Sequence, residues 1–180
     1  SLEGDVSTID LAKKVTVMDI ASEDGVVIAS MQDDDDRSSY FQNDEWTIEG
    51  NTITFDLQRS EDVLTLSFPL SVGQRMGDVW QLESRDDGYY VWEVEEKMSR
   101  EVLGRTYEDC FRIAFKTLPD TEYKILCYGI GFVEEGYTHN GTLFEEVLTL
   151  TSFKAGRADK LIAGDGEAVQ AKKKSTCDKL

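Results

Sequence analysis

The sequence predicts a mainly β protein, a single antiparallel meander of about ten strands with at most short helices. Three observations predict it. Apolar and polar residues alternate over short runs, as in Thr52-Ile-Thr-Phe-Asp-Leu57, the period of a strand with one buried face. Two-residue turn signals recur between such runs: Asp24-Gly25, Gly50-Asn51 and Asn140-Gly141. No long segment sustains the i, i+3, i+4, i+7 spacing of an amphipathic helix. A sheet of this many strands must curl, split into two layers or close. A curved half-barrel and a sandwich-like body are therefore both open.

The first ten residues show no clear period. Val15-Thr-Val-Met-Asp-Ile20 and Val26-Val-Ile-Ala29 flank Asp24-Gly25 and form the first hairpin. Asp33 to Asp36 are four consecutive carboxylates with no apolar face to bury, and read as a solvated connection. Glu45-Trp-Thr-Ile-Glu49 and the run from Thr52 to Leu57 form the second hairpin, with Ile53, Phe55 and Leu57 on the buried side. Val63-Leu-Thr-Leu-Ser-Phe68 continues the pattern and stops at Pro69, which cannot donate to a ladder. A bend through Gly73 leads into Val79-Trp-Gln-Leu82. Asp86-Asp87-Gly88 then turns into Tyr89 to Glu96, where Tyr90, Trp92 and Val94 share a face. The last hairpin joins Phe132–Thr138 to Thr142–Phe153 across Asn140-Gly141.

Gly104 to Val133 is the spine of this arrangement, a hairpin with a glycine-marked bend at each end. Phe111, Ile113 and Phe115 alternate on its first strand, and Tyr123, Ile125 and Cys127 on its second. Pairing 111 with 127, 113 with 125 and 115 with 123 joins the two apolar sets and leaves Leu118-Pro119-Asp120 as the loop. A slip of one residue would set Arg112 and Lys116 against the apolar set. In this register Cys110 and Cys127 face opposite sides, so no disulfide between them is expected. The three cysteines, an odd number, then read as two small buried hydrophobes and a free thiol at Cys177.

No Pro/Gly/Ser-rich linker divides the 180 residues, so residues 1–157 read as one β-rich domain. Residues 158–180 read as a tail with a short helix near Glu167 to Lys174, whose acidic start and basic end suit the helix dipole. The net charge is −17. From Arg157 onward six Lys/Arg stand against four Asp/Glu, which is +2 and leaves −19 for the rest. Such a surface repels phosphate backbones and anionic lipid headgroups, so nucleic acid and anionic membranes are not expected partners. No apolar run approaches the ~20 residues of a membrane-spanning helix. Ser1-Leu-Glu-Gly4 reads as a vector-derived scar, with any leader removed.

Leu66-Ser-Phe-Pro-Leu-Ser-Val-Gly73 followed by Trp80, then Gly104-Arg-Thr-Tyr-Glu-Asp-Cys110, then Tyr128-Gly-Ile-Gly-Phe-Val133 form an ordered set of motifs. Over about residues 40 to 153 the chain resembles a diffuse group of bacterial extracytoplasmic β-rich proteins of unknown function, many of them lipoproteins. Arg105 and the basic tail depart from that group's pattern. The resemblance implies a periplasmic or cell-surface location, with any membrane link through a removed N-terminal lipid anchor. It carries over no catalytic residue. Physically, Gly104, Gly129 and Gly131 allow positive φ where strands bend, and Asp109 is placed to hydrogen-bond local backbone.

The chemistry the residues offer is sparse. His139 is the lone histidine and sits at a hairpin tip, so no Cys–His or Ser–His pair and no zinc spacing is expected. Asp33 to Asp36 lack the alternating spacing that wraps a calcium ion. Nothing singles out a carboxylate pair for hydrolysis among 36 Asp/Glu. No catalytic, cofactor-binding or metal-ligating residue is assigned, and no cofactor is expected. Trp46, Trp80, Tyr90, Trp92 and Tyr128 read mainly as core, and secondarily as lining for a concave ligand site. The expectation is a non-enzymatic extracytoplasmic protein that binds a small molecule or protein partner, in its sharper form an apolar ligand. A carboxylate-based hydrolase and a calcium-stabilised adhesion module are the alternatives.

Overall fold

The computed structural model describes residues 6–33, 43–57, 64–76, 87, 89–139, 141, 144–155 and 169–178. The described residues are all strands, turns and bends, with no helix among them. The antiparallel all-β meander is therefore as the sequence predicts. No described helix is long and apolar enough to cross a membrane, which leaves membrane crossing by strands untouched.

The chain forms two compact units. One comprises Lys13–Leu70 with Thr151–Gln170, the other Ser1–Ala12 with Ser71–Leu150 and Ala171–Leu180. In the first, β1 (Val6–Glu23) from Lys13 onward, β2 (Val26–Asp33), β3 (Asn43–Glu49), β4 (Thr52–Leu57) and β5 (Leu64–Ser67) pair in chain order. The predicted turns close the hairpins: Asp24 and Gly25 have φ of 52° and 84° between β1 and β2, and Gly50 begins the next turn. Ala29, Trp46, Phe55 and Leu64 are successive cross-strand partners on one face. Phe55 and Leu64 are buried there, with the Trp46 and Phe55 rings edge to face at 4.9 Å. The adjacent row carries Ile28, Thr47, Thr54 and Thr65, and the last two join hydroxyls at 3.2 Å. This is the expected alternation, one dry face and one wet. Asn51 in the turn donates its side-chain amide to the Phe68 carbonyl, 2.6 Å, and so fixes the chain just beyond β5.

In the second unit β6 (Arg75–Met76), β7 (Trp92–Val102), β8 (Arg105–Lys116), β9 (Asp120–Cys127), β10 (Gly131–His139) and β11 (Phe144–Ser152) likewise pair in chain order. β7 joins β8 through Leu103 and Gly104, both at positive φ. Gly129 and Gly131, at φ of 89° and 95°, turn the chain between β9 and β10 so sharply that Cys127 pairs with Gly131. Register shifts mark Val94/Glu96 and Met98/Arg100 in β7 and Phe132/Glu134 in β10. Trp92, Val94, Phe111, Ile113, Leu126 and Leu148 make the core on one face. The Trp92 and Phe115 rings tilt together at 5.3 Å.

The spine hairpin exists, but its register is one residue away from the predicted pairing. Phe111 pairs with Leu126, Ile113 with Lys124, Phe115 with Glu122 and Cys110 with Cys127. Cys110 and Cys127 are disulfide-bonded, which corrects the expectation of free thiols at these two positions. Tyr128 N–H donates to the Asp109 carbonyl at 2.9 Å, so the two cysteines form a non-hydrogen-bonded pair, the closer kind. Their Cα atoms are 4.0 Å apart. The predicted register assumed that only one face is buried. Both faces are covered here: Cys110, Ala114, Ile125 and Cys127 are as buried on one side as Ile113 and Lys124 are on the other. Arg112 fits its face because its guanidinium stacks on the Tyr123 ring, 4.3 Å from the centroid, and pairs with Glu95.

β12 (Val169–Asp178) is a strand where the tail sequence suggested a short helix. Lys172 to Lys174 is a run of like charge with no apolar helical stripe to hold a helix together. Cys177 lies in this strand.

Candidate functional site

On the face of the second unit that carries the disulfide, register places Arg75, Glu93, Ala114, Tyr123 and Gly136 side by side on β6 to β10. Ala114 is a small member of this row and lies in a depression, whereas the space at Gly136 is filled by the Tyr123 ring. Arg75, Glu93, Glu95 and Lys116 line it together with Asp87 and Tyr89 from the turn before β7. The depression is about 250 Å³. The Arg75 Nε donates to Glu93 Oε2 at 2.9 Å. Glu95 is the extra residue of the first β7 bulge, and this offset lets its carboxylate meet both Arg112 and Lys116. Asp87 Oδ1 accepts from Tyr89 N–H at 3.1 Å, a local turn that sets the tyrosine against the cleft.

The wall beside the cleft is built on Tyr123. A Cβ at Gly136 would stand 2.1 Å from Tyr123 Cε1, so the phenol ring occupies the space a side chain would take. The Tyr123 hydroxyl donates to Glu134 Oε1 at 3.1 Å, and Arg100 approaches the same oxygen at 3.4 Å. Burial first, then the Glu134 charge and hydrogen bond, push the Tyr123 phenol up to about 12.

The opposite face holds a charge that the alternation reading missed. Lys124 is fully buried, with Glu122 Oε1 at 3.4 Å, Glu135 Oε2 at 3.5 Å and the Phe132 ring centroid at 5.8 Å. Burial alone would lower its pKa, but the two carboxylates more than offset this and raise it. The only signal in the sequence was Glu122, two residues before Lys124 and so on its own face; Glu135 comes opposite Lys124 through the β9–β10 register.

His139 ends β10 half-buried, with Nδ1 paired to Asp120 at the start of β9. It is thus more sheltered than a bare hairpin tip. Asp109, expected to bond local backbone through its side chain, instead pairs with Lys97 at 2.6 Å on the surface, and its carbonyl serves Tyr128. Of the five aromatics considered as cleft lining, the four described ones do not line the depression beside Ala114. Trp46 belongs to the first unit, Trp92 is core of the second, and Tyr128 stacks on Phe111 at 5.3 Å. Tyr90 is a positive-φ turn residue, and Trp80 lies outside the described residues. The side chains of Asp33 to Asp36 also lie outside them. Among the described residues no three His, Cys, Asp or Glu side chains gather as metal ligands. Comparison of the chain with protein-family models, curated proteins and solved structures finds no match in any of the three.

Proposed function

We propose that this is a non-enzymatic extracytoplasmic protein that binds a small ligand or partner on the disulfide-bearing face of its six-stranded sheet. The observation that carries the proposal is the Cys110–Cys127 bridge between directly opposed strand residues. Structural disulfides persist in oxidising compartments and are rare in the cytosol. The resemblance to extracytoplasmic β-rich proteins points the same way. The polar cleft above Ala114 supports a polar ligand in preference to the apolar one the sequence suggested. Glu93 and Glu95 are each held in ion pairs there, which favours a recognition surface over a proton-donating carboxylate pair.

Fractionation of the source cells with thiol counting tests this. The protein is expected outside the cytosol, with one reactive thiol per denatured, unreduced chain. Recovery from the cytosol with three reactive thiols would sink the proposal.

A further inference from the structure

The depression beside Ala114 differs in its lining from an ordinary small-molecule pocket. Such pockets are mostly apolar, with a few polar groups that fix orientation. Here the proportions are reversed. Among the described residues that line it Ala114 alone is aliphatic, and Arg75, Asp87, Tyr89, Glu93, Glu95 and Lys116 are all polar or charged. Both cations are matched within the lining: Arg75 Nε donates to Glu93 Oε2 at 2.9 Å, and Lys116 pairs with Glu95 Oε1. A charged solute must compete with a partner already in place, and gains little. A hydroxyl need not compete. An ammonium carries three donors and a carboxylate about four lone-pair sites, so one ion pair exhausts neither group. The Arg75, Glu93 and Lys116 side chains keep between a third and a half of their area open, which leaves that capacity within reach of a solute.

From this arrangement we infer that the depression binds a neutral polyhydroxylated ring, the chemical class of monosaccharides. The inference rests on the binding function proposed above and names the ligand class for it. A ring hydroxyl both donates and accepts, so it can bridge the cation of a pair to the carboxylate beside it. The pairs hold these groups in place beforehand, so little side-chain freedom is lost when the sugar arrives. Tyr89 is half-buried and fixed through its backbone, where its N–H donates to Asp87 Oδ1 at 3.1 Å. Its ring, with the Ala114 methyl group, meets the C–H face of the sugar. The volume of about 250 Å³ holds one such ring and excludes a folded partner. At the efficiency usual for small ligands, a ring of about twelve heavy atoms binds with a dissociation constant on the order of 1 mM.

The test is titration of the full oxidised chain with the methyl glycosides of glucose, galactose and mannose, followed by backbone amide NMR. Cyclohexanol, sodium acetate and ethylammonium chloride are the controls. At least one glycoside is expected to shift the amides of Ala114, Tyr89 and Glu95 saturably. Cyclohexanol is expected to bind at least tenfold more weakly, because the polar lining is then covered without gaining hydroxyl partners. Acetate and ethylammonium are expected to give no saturable shift at these amides. Tyr89→Ala is expected to weaken glycoside binding at least tenfold, and Tyr89→Phe, which keeps the ring, by no more than about threefold. Equal binding of a control, equal loss in the two Tyr89 variants, wild-type affinity in Tyr89→Ala, or no saturable shift with any glycoside overturns the inference. In that event, one reactive thiol and an extracytoplasmic location would still stand for the broader proposal. Three thiols in the cytosol would remove that proposal whatever the glycosides do.

Discussion

A methyl group added at Gly136 would fall 2.1 Å from Tyr123 Cε1 and 2.6 Å from its hydroxyl oxygen. The ring cannot yield cheaply, because Arg112 stacks on it and its hydroxyl is bonded to Glu134. Gly136→Ala is therefore expected to cost about 1–3 kcal/mol, the range for overpacking a filled site. Tyr123→Ala in the same chain removes the obstacle, so denaturant melts of the double variant should show less than the sum of the two single losses. Lys124 is the other residue with a large expected effect. Lys124→Met leaves Glu122 and Glu135 facing each other without their shared cation, at a cost of about 3–5 kcal/mol. Adding Glu122→Gln and Glu135→Gln to that variant should recover most of the loss by removing the stranded charges. If Lys124→Met alone melts like the wild type, the buried ion cluster is not contributing as described.

These same two residues set a pH dependence. Both hold their protons more tightly in the folded chain, Tyr123 up to about 12 and Lys124 above the ordinary lysine value of 10.5. A raised folded pKa gives stability that is complete below the unfolded value and lost as pH rises through the folded one. Stability should thus hold to about pH 10 and fall through pH 12. The fall should be shallower in Tyr123→Phe, as followed by chemical melts across that window.

At the scale of the element, the β8–β9 hairpin shows what the sequence could and could not supply. Its strands, its loop and its bounding glycines were all legible, because alternation and turn chemistry are local. Its register was not. The choice depended on whether one face or both are covered, and that is decided by residues distant in sequence: Glu95 for Arg112, Glu135 for Lys124. The cleft was illegible for the same reason, since only the bulge at Val94/Glu96 brings Glu95 onto Arg112 and Lys116. The tail failed differently: its acid-to-base charge gradient suited a helix, but no apolar stripe accompanied it. The disulfide follows from the true register, and it ties residues 17 apart in sequence. The paired Cys110→Ser, Cys127→Ser variant should lose about 2–4 kcal/mol. Reduction of the wild type should lower the melting temperature to that of the variant, and reduction of the variant should change nothing.

Over the whole molecule the net charge of −17 is a standing repulsive load on any compact state. It is screened as the Debye length shrinks, from about 30 Å at 0.01 M salt to about 8 Å at 0.15 M. The melting temperature is therefore expected to rise with sodium chloride over that range. A fall would mean that the ion pairs at Arg75, Arg112 and Lys116 outweigh the global repulsion.

The two-residue length of β6 has a consequence for the behaviour of many copies together. Among the described residues no strand covers the outer edge of β7 from Glu95 to Val102, and a bare edge is a template on which a second chain can add. This edge is bent by one bulge at Glu95 and a second irregularity at Ser99, and it carries Glu95, Glu96, Lys97, Arg100 and Glu101 within seven residues. An incoming strand would find its hydrogen-bond register broken twice and its side chains set against charge. The bulge that aims Glu95 into the cleft thus also makes this edge a poor template for an added strand.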